Sequence, residues 1–274
     1  MIELINLSFA YNPEREDKVT ALKNINLKVD GGEFVVILGH NGSGKSTLAY
    51  HLNGLLLPTS GDVIIEGMNT KNPDYFWKVK EEVGIVFQNP GNQIVATIVE
   101  EDVAFGLENL GFEKDEIRKR VNEALEIVGM SSYVRYEPHL LSQGQKQKVA
   151  IAGILAMRPK YMVLDEPTSQ LDPGSRKNIL EVLHRLNKEY GVTIIHITHF
   201  VEEALNAGRV LVMKEGEVIL DGSPVEIFKD LASLISLGII PPPVMILAEE
   251  LAKSGLKITL PVLSIEEMVD ALCS

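Results

Sequence analysis

The sequence has little of several features that mark other classes of protein. It contains one cysteine, Cys273, so no disulfide can form within the chain, as is typical of a reducing compartment. We interpret Cys273 as an incidental thiol. No stretch has the roughly 20 apolar residues of a membrane-spanning helix, and the first residues lack the basic region and apolar run of a signal peptide. We therefore expect a cytoplasmic protein that reaches a membrane only through a partner.

Positive charge is also scarce. The 26 lysines and arginines are outnumbered by 38 aspartates and glutamates, which gives a formal net charge of -12. Proteins that bind nucleic acid usually present a basic surface, because neutralising phosphates supplies most of the binding energy. We therefore expect no nucleic-acid partner. The same acidic balance disfavours direct adsorption to anionic lipid.

Hydrophobic periodicity indicates an α/β protein. Residues 2–38 predict β-structure: Ile25, Leu27 and Val29 alternate with polar residues, and an unbroken apolar run follows at 34–38. Similar runs at 161–164 and 193–198 predict strands covered on both faces, as in parallel sheets. Apolar residues at helical spacing dominate from about 98 to 157. Strands that alternate with helices favour a mainly parallel sheet.

A glycine-rich loop follows the apolar run at 34–38. Its pattern, Gly39-x-x-x-x-Gly44-Lys45-Ser46, is that of a phosphate-binding P-loop between a predicted strand and a predicted helix at 48–52. Glycines let backbone N–H groups approach phosphate oxygens, and the helix N-terminus adds positive potential. Lys45 would reach the β- and γ-phosphates of ATP, and the Ser46 hydroxyl would bind Mg²⁺. The predicted ATP-binding residues here are Gly39, His40, Asn41, Gly42, Ser43, Gly44, Lys45, Ser46 and Thr47.

Two consecutive carboxylates form the second part of the predicted site. Asp165 and Glu166 follow the apolar run at 161–164, and an acidic residue at the end of a buried strand holds Mg²⁺ in P-loop proteins. Side chains alternate along a strand, so we expect the two acids to differ in role. Asp165 is predicted to hold the metal, and Glu166 to polarise the attacking water.

The pattern changes after about residue 222. Three consecutive prolines at 241–243 interrupt the chain, and two short amphipathic helices are predicted beyond them, the second beginning with a capping box formed by Ser264 and Glu267. We predict an ATPase domain at 1–222 and a small helical C-terminal domain at 223–274. The apolar stripes of the two helices are Val244, Leu247, Ala248 and Leu251, and Ile265, Met268, Val269 and Leu272.

Six segments occur in the order found in ABC ATPases, which the chain resembles from residue 1 to about 222. They are the P-loop, Gln88, the signature-like segment Leu-Ser-Gln-Gly-Gln at 141–145, the strand that ends at Glu166, Leu-Asp-Pro at 171–173, and His199. The resemblance implies a P-loop NTPase fold with a RecA-like core. It also implies an antiparallel β subdomain and an α-helical subdomain at about 90–157.

The resemblance further implies roles for residues that carry no pattern of their own. Tyr11 is similar to the aromatic residue that stacks on adenine. Gln88 would bind Mg²⁺ and sense the γ-phosphate, and His199 would contact the γ-phosphate, so that these two and Glu166 are the predicted catalytic residues. ABC ATPases hydrolyse ATP between two head-to-tail subunits. The residues predicted to act on the partner's nucleotide are Ser142, Gln143, Gly144, Gln145 and Asp172.

A narrower resemblance is to the ATPases of energy-coupling factor (ECF) transporters, which import vitamins and transition-metal ions. It is carried by Phe-Gln-Asn-Pro-Gly-Asn-Gln at 87–93, by 99–106, by 145–153 and by the C-terminal segment. It implies a second ATPase subunit, a transmembrane coupling protein, a membrane component that binds the substrate, and a peripheral position on the cytoplasmic face of the membrane. The C-terminal helices would either help to hold the ATPase dimer together or simply cover the sheet.

The sequence departs from the family pattern at three positions. Gln143 stands where the signature usually has glycine, Lys148 where arginine is usual, and Gly91 where an acidic residue is common. Glycine at position 143 would be needed for a positive φ or for close approach to phosphate. Because the P-loop half is intact and the signature half is altered, we favour a heterodimer in which this chain's signature serves the weaker site; a homodimer stays possible.

Three other functions fit parts of the pattern. The chain could serve a conventional ABC transporter, which dedicated permease subunits would reveal. A soluble ABC protein acting on ribosomes or DNA usually has two ATPase units or a long coiled-coil insertion, and neither is present. A regulatory module without turnover is disfavoured by the presence of Glu166 and His199. The transported substrate is not encoded in a recognisable pattern.

Overall fold

The computed structural model describes residues 1–15 and 17–273. Two sheets contain ten strands: β1 (Ile2–Tyr11), β2 (Val19–Val29), β3 (Phe34–Leu38), β4 (Ser60–Ile65), β5 (Met68–Asn69), β6 (Val83–Val86), β7 (Tyr161–Asp165), β8 (Thr193–Thr198), β9 (Arg209–Lys214) and β10 (Glu217–Gly222).

The larger sheet has the order β10-β9-β3-β8-β7-β6, and all its neighbours are parallel except the β9–β10 hairpin. Strand β3 lies inside this sheet and every residue of it is buried. Val35 and Ile37 enter the core shared with the smaller sheet, whereas Val36 and Leu38 enter the core on the opposite face. Burial on both faces is the physical reason for the unbroken apolar run at 34–38.

The smaller sheet is antiparallel, with the order β2-β1-β4-β5. Its apolar face packs on the larger sheet in a core that includes Ile2, Leu22, Val63 and Ile65. It therefore covers one face of the parallel sheet and places the end of β1, at Tyr11, beside the glycine-rich loop.

Ten helices are described: α1 (Lys45–Leu52), α2 (Phe76–Glu82), α3 (Val99–Asn109), α4 (Lys114–Ile127), α5 (Gln143–Ala156), α6 (Pro173–Tyr190), α7 (Pro224–Ile227), α8 (Leu231–Ser236), α9 (Pro243–Lys253) and α10 (Ile265–Cys273). Helices α3, α4 and α5 share one apolar core through Val103, Leu125 and Ile151. Helix α6 packs on the same face of the parallel sheet through Ile179 and Leu183.

Several predicted boundaries shift. Helix α1 begins at Lys45 rather than Leu48, because the P-loop turns directly into the helix. The predicted helical stretch at 98–157 is interrupted between α4 and α5, where only two single 3₁₀ turns, Ser131–Tyr133 and Pro138–Leu140, occur. Residues 62–66 also predict a short strand, but β4 (Ser60–Ile65) ends one residue earlier, because Glu66 has a φ of 48° and forms the following turn.

The C-terminal helices form, but their apolar stripes are only partly buried. Ala248 and Met268 are buried together with Val262, whereas Leu247 is 51% exposed and Ile265 is 69% exposed. The Ser264 hydroxyl accepts the N–H of Glu267, as predicted, but the Glu267 carboxylate accepts the N–H of Leu263 instead of that of Ser264. In the described part of the chain, no helix is long and apolar enough to cross a bilayer.

Candidate ATP-binding and hydrolysis site

The glycine-rich loop connects β3 to α1 at the carboxyl end of the parallel sheet. Gly44 precedes the helix with a φ of 102°, and a Cβ there would lie 2.6 Å from the carbonyl oxygen of Ala21. Both constraints exclude side-chain-bearing residues and so explain this glycine. The loop presents the free backbone N–H groups of the first turn of α1 toward a cleft, which is the arrangement that binds phosphate.

Lys45 lies under this loop. Its ammonium donates to the carbonyls of Gly39 at 2.8 Å and His40 at 3.1 Å, and it lies 3.7 Å from Oε1 of Glu166. Burial lowers the pKa of Lys45, although the neighbouring Glu166 and Asp165 carboxylates oppose this shift. A phosphate in the cleft would supply the negative charge that a buried ammonium needs.

Asp165, the last residue of β7, faces the start of α1. Its Oδ1 accepts a hydrogen bond from the Ser46 hydroxyl at 2.9 Å. Burial raises the pKa of Asp165 and outweighs the opposing hydrogen bond from Ser46. A cation beside Asp165 would favour its ionised form.

Glu166 lies just beyond β7 and has a φ of 48°. Its Oε2 accepts a hydrogen bond from Gln88 Nε2 at 3.1 Å and lies 3.4 Å from His199 Nδ1. Asp165 and Glu166 therefore have different partners. Because β7 ends at Asp165, the alternation of side chains along a strand does not extend to Glu166. Non-glycine residues with a positive φ are uncommon and concentrate at functional sites.

A cleft of about 430 Å³ lies in front of the P-loop. Tyr11 is on its rim, 40% exposed, with its hydroxyl 3.2 Å from Oγ1 of Thr47. Gln88 and Glu166 also line it. His40 and His199 instead line a neighbouring cavity of about 780 Å³ next to residues 238–243, so that His199 is connected to the cleft through its contact with Glu166.

The signature-like segment lies elsewhere. Ser142 caps α5 by accepting the N–H of Gln145, and Asp172 caps α6 by accepting the N–H of Ser175 at 3.0 Å. The lining of the P-loop cleft includes neither these residues nor Gln143 or Gly144. A Cβ on Gly144 would lie 2.9 Å from Oγ of Ser175, so this segment is packed against the start of α6.

One buried polar cluster was not predicted from the sequence. Glu203 accepts a hydrogen bond from Thr168 at 2.7 Å and lies 2.7 Å from Nε2 of His196. His196 lies within the apolar run at 193–198 and fits a structural role in that predicted strand, and Glu203 carries no pattern of its own. One signal in the sequence could have indicated the cluster. It is the histidine inside the apolar run at 193–198, because a buried polar side chain needs a hydrogen-bond partner.

Comparison with known proteins agrees with this geometry. The family model described as "ABC transporter" matches residues 22–169, which contain the P-loop, Gln88, the signature-like segment and the strand ending at Asp165. The chain belongs to this family and is an ABC ATPase.

Its similar relatives are more specific. The energy-coupling factor transporter ATP-binding protein EcfA1 of Clostridium novyi is 53% identical over 273 residues, covering 100% of this chain and 98% of the relative. The EcfA protein of Syntrophomonas wolfei is 46% identical, with 100% and 99% coverage. The resemblance to the ECF transporter ATPases is thereby confirmed.

Solved structures support the same fold. The chain is similar to cbiO1 of Clostridium perfringens, part of the ABC transporter complex cbiONQ, with a TM-score of 0.78, 40% identity and coverage of 90% of this chain and 98% of that one. It is also similar to a dimeric ATP-binding cassette in a post-hydrolysis state bound to ADP and Pi, with a TM-score of 0.74, 35% identity and coverage of 82% and 99%. The predicted P-loop NTPase fold is confirmed.

Proposed function

We propose that this chain is the ATP-hydrolysing subunit of an ECF-type importer, in which Glu166 activates the attacking water. The observation that carries the proposal is the position of the Glu166 carboxylate. It contacts Lys45, Gln88 and His199, three residues that come from three different segments of the chain. A group that orients or deprotonates water must be held by such contacts.

The residues beside the cleft fit a Mg²⁺ ion that accompanies ATP. Ser46, Gln88 and Asp165 offer hydroxyl, amide and carboxylate oxygens, which are the hard ligands that Mg²⁺ prefers together with substrate phosphates and water. Across the described residues, no group of three His, Cys, Asp or Glu side chains could hold a metal by itself. When bound, Mg²⁺ would neutralise charge on the phosphate oxygens.

The remaining residues have distinct tasks. Backbone N–H groups of the loop at 39–47 would bind the phosphates, and Lys45 would turn from its carbonyl partners toward the β- and γ-phosphates. Tyr11, on the rim of the cleft, would stack on the adenine. Gln88 would position Glu166 and report the state of the γ-phosphate to the membrane partner. His199 would contact the γ-phosphate beside Glu166.

The cleft supplies half of a hydrolysis site. The other half would be Ser142, Gln143, Gly144, Gln145 and Asp172 of a facing subunit, because these residues lie outside this chain's own cleft. We infer a heterodimer with a second ABC ATPase, since the P-loop is complete while the signature has Gln143. ATP binding would close the dimer, and hydrolysis would reopen it.

The membrane partners are proposed from the same relatives. A transmembrane coupling protein would receive the motion of the Gln88 segment, and a separate membrane component would bind the vitamin or metal ion. The chain would then lie at the cytoplasmic face of the membrane as a peripheral subunit. We propose an ATPase domain at 1–222, with its helical subdomain at about 90–157, and a helical C-terminal domain at 223–274.

The variant Glu166→Gln tests the central role. The amide retains the size of the side chain but cannot take a proton, so we expect turnover to fall on the order of 100-fold or more while ATP binding persists. Steady-state hydrolysis by the assembled transporter and binding of a fluorescent ATP analogue measure the two effects. Asp221→Asn serves as a control, because Asp221 pairs with Arg209 at the start of β9 and does not line the cleft. Unchanged turnover in Glu166→Gln would refute the assignment.

A further inference from the structure

Glu203 lies between the loop after β7, the start of α6 and the loop after β8. It belongs to the turn Val201–Ala204, which follows His199 and Phe200. Its side chain is 1% exposed, and that of His196, 2.7 Å away, is fully buried. An unpaired buried carboxylate is costly, so a chain that keeps one holds it in a fixed arrangement with its partners.

Each partner of Glu203 is close in sequence to a proposed site residue. Thr168, which donates to Oε1 at 2.7 Å, follows Glu166 by two positions. His196, beside Oε2, precedes His199 by three. Arg176, whose Nε lies 3.7 Å from Oε1, is in the first turns of α6, which Asp172 caps.

Arg176 extends the cluster to the ring of His199. Its guanidinium carbon lies 3.5 Å from the centre of the Phe200 ring, a cation–π arrangement. The Phe200 ring lies 4.1 Å from the His199 ring, at an angle of 39°. Glu203 is therefore connected to His199 twice, through the strand that bears His196 and through Arg176 and Phe200.

The backbone links the same segments. The N–H of Glu166 donates to the carbonyl of Ile197 in β8 at 3.0 Å, and the N–H of Glu203 donates to the carbonyl of Phe200 at 3.2 Å. The hydrogen bond from Thr168 to the Glu203 carboxylate adds a third connection between the loop after β7 and the turn after β8. The segments that bear Glu166 and His199 cannot separate without breaking these hydrogen bonds.

We propose that Glu203 is a positioning residue for ATP hydrolysis. It fixes the loop after β7, the start of α6 and the loop after β8 relative to one another, and so maintains the 3.4 Å contact between His199 and Glu166. It does not line the P-loop cleft and has no contact with the nucleotide in this role. The inference rests on the proposed functions of Glu166 and His199.

The test compares three variants of the full chain in its assembled transporter. Glu203→Gln keeps the shape but removes the charge, and Thr168→Val removes one hydrogen bond at nearly constant volume. Ile65→Ala is the control, because Ile65 is fully buried in the smaller sheet, away from this cluster. The kcat, the KM for ATP and the affinity for an ATP analogue are measured at a temperature at which circular dichroism shows every variant to be folded.

We expect Glu203→Gln to lose kcat on the order of 10- to 100-fold, since small displacements of reacting groups have effects of that size. KM and nucleotide affinity should stay within about twofold, because the P-loop is unaffected. Thr168→Val should show a smaller loss of the same kind, and Ile65→Ala should keep the parental kcat despite its lower stability. If Glu203→Gln does not fold, Thr168→Val decides the question.

Two results would overturn the inference. One is that the kcat values of Glu203→Gln and Thr168→Val equal that of Ile65→Ala. The cluster would then only stabilise the fold. The other is a loss of nucleotide affinity as large as the loss of kcat. Failure of the proposed function itself is distinguishable, because it would show as full turnover in Glu166→Gln, whereas failure of this inference leaves Glu166→Gln inactive and Glu203→Gln active.

Discussion

At position 143 a glutamine stands where the signature of ABC ATPases usually has glycine. Gln143 is the first residue of α5 and is not among the described residues with positive φ, so its backbone conformation does not require glycine. Its side chain donates from Nε2 to Oε1 of Gln170 at 3.2 Å. The remaining difference is the space that this side chain occupies where a partner's phosphate would approach.

Replacing Gln143 by glycine therefore tests whether the site that uses this chain's signature is the weaker of the two. In Gln143→Gly, we expect higher turnover at the site that uses this chain's signature, because the phosphate can approach the N–H groups of α5 more closely. Hydrolysis is measured in complexes whose other site, at the P-loop of this chain, is silenced by Glu166→Gln. Gln170→Ala, which frees Gln143 without shortening it, is the matched control.

A homodimer with full, cooperative activity that Gln143→Gly leaves unchanged would contradict the proposed asymmetry. In that case the signature glycine is dispensable in this chain, and the two sites are equivalent.

Much of the site at the residue scale could be predicted, and the reason is local. The spacing within one short loop singles out Gly44, Lys45 and Ser46, and all three line the cleft. The Glu203 cluster could not be predicted, since Thr168, His196 and Glu203 meet only when two strands of a parallel sheet lie side by side. Register between distant strands is not visible in any one segment.

At the element scale, the strands buried on both faces were the easiest to recognise. Strands β3, β7 and β8 are continuous apolar runs because each faces two cores. The C-terminal helices were recognised from helical spacing, but the spacing does not tell which partner covers the apolar face. In α10, Met268 is buried while Ile265, Val269 and Leu272 are exposed.

The exposed face of α10 distinguishes the two roles considered for the C-terminal helices. Ile265→Ser combined with Val269→Ser should leave the melting temperature nearly unchanged, because exposed substitutions change the free energy of unfolding by about 0.5 kcal/mol or less. It should weaken association between ATPase subunits, as measured by sedimentation equilibrium. Met268→Ala is the control, with an expected loss of about 2–5 kcal/mol.

The double variant could instead lose as much stability as Met268→Ala while the association of the ATPase subunits stays unchanged. That result would show that the C-terminal helices simply cover the sheet.

At the scale of the whole molecule, the chain separates its two functional surfaces. The P-loop cleft lies at the carboxyl end of the parallel sheet between α1 and the end of β1, while the signature-like segment begins α5 in the helical layer. Under the proposed function, one chain would bind a nucleotide at one surface and offer the residues for a second nucleotide at another. The sequence indicated both segments, but only the fold shows that they do not meet within one chain.

This separation has a direct consequence for turnover. A monomer should bind ATP through Lys45 and the loop at 39–47, but it should not hydrolyse it, since the residues on the far side of the γ-phosphate are missing. Hydrolysis per chain should therefore follow the fraction of chains that are paired, either with a copy of this chain or with a related ATPase.

The most direct measurement is ATP hydrolysis per mole of chain across a dilution series, with the paired fraction followed by light scattering. The same series is repeated with the second ATPase present. We predict that hydrolysis falls to background as the monomer fraction approaches one, while nucleotide binding persists, and that adding the partner restores turnover. A monomeric chain that hydrolyses ATP at the undiluted rate would contradict the claim that its cleft is half of a site.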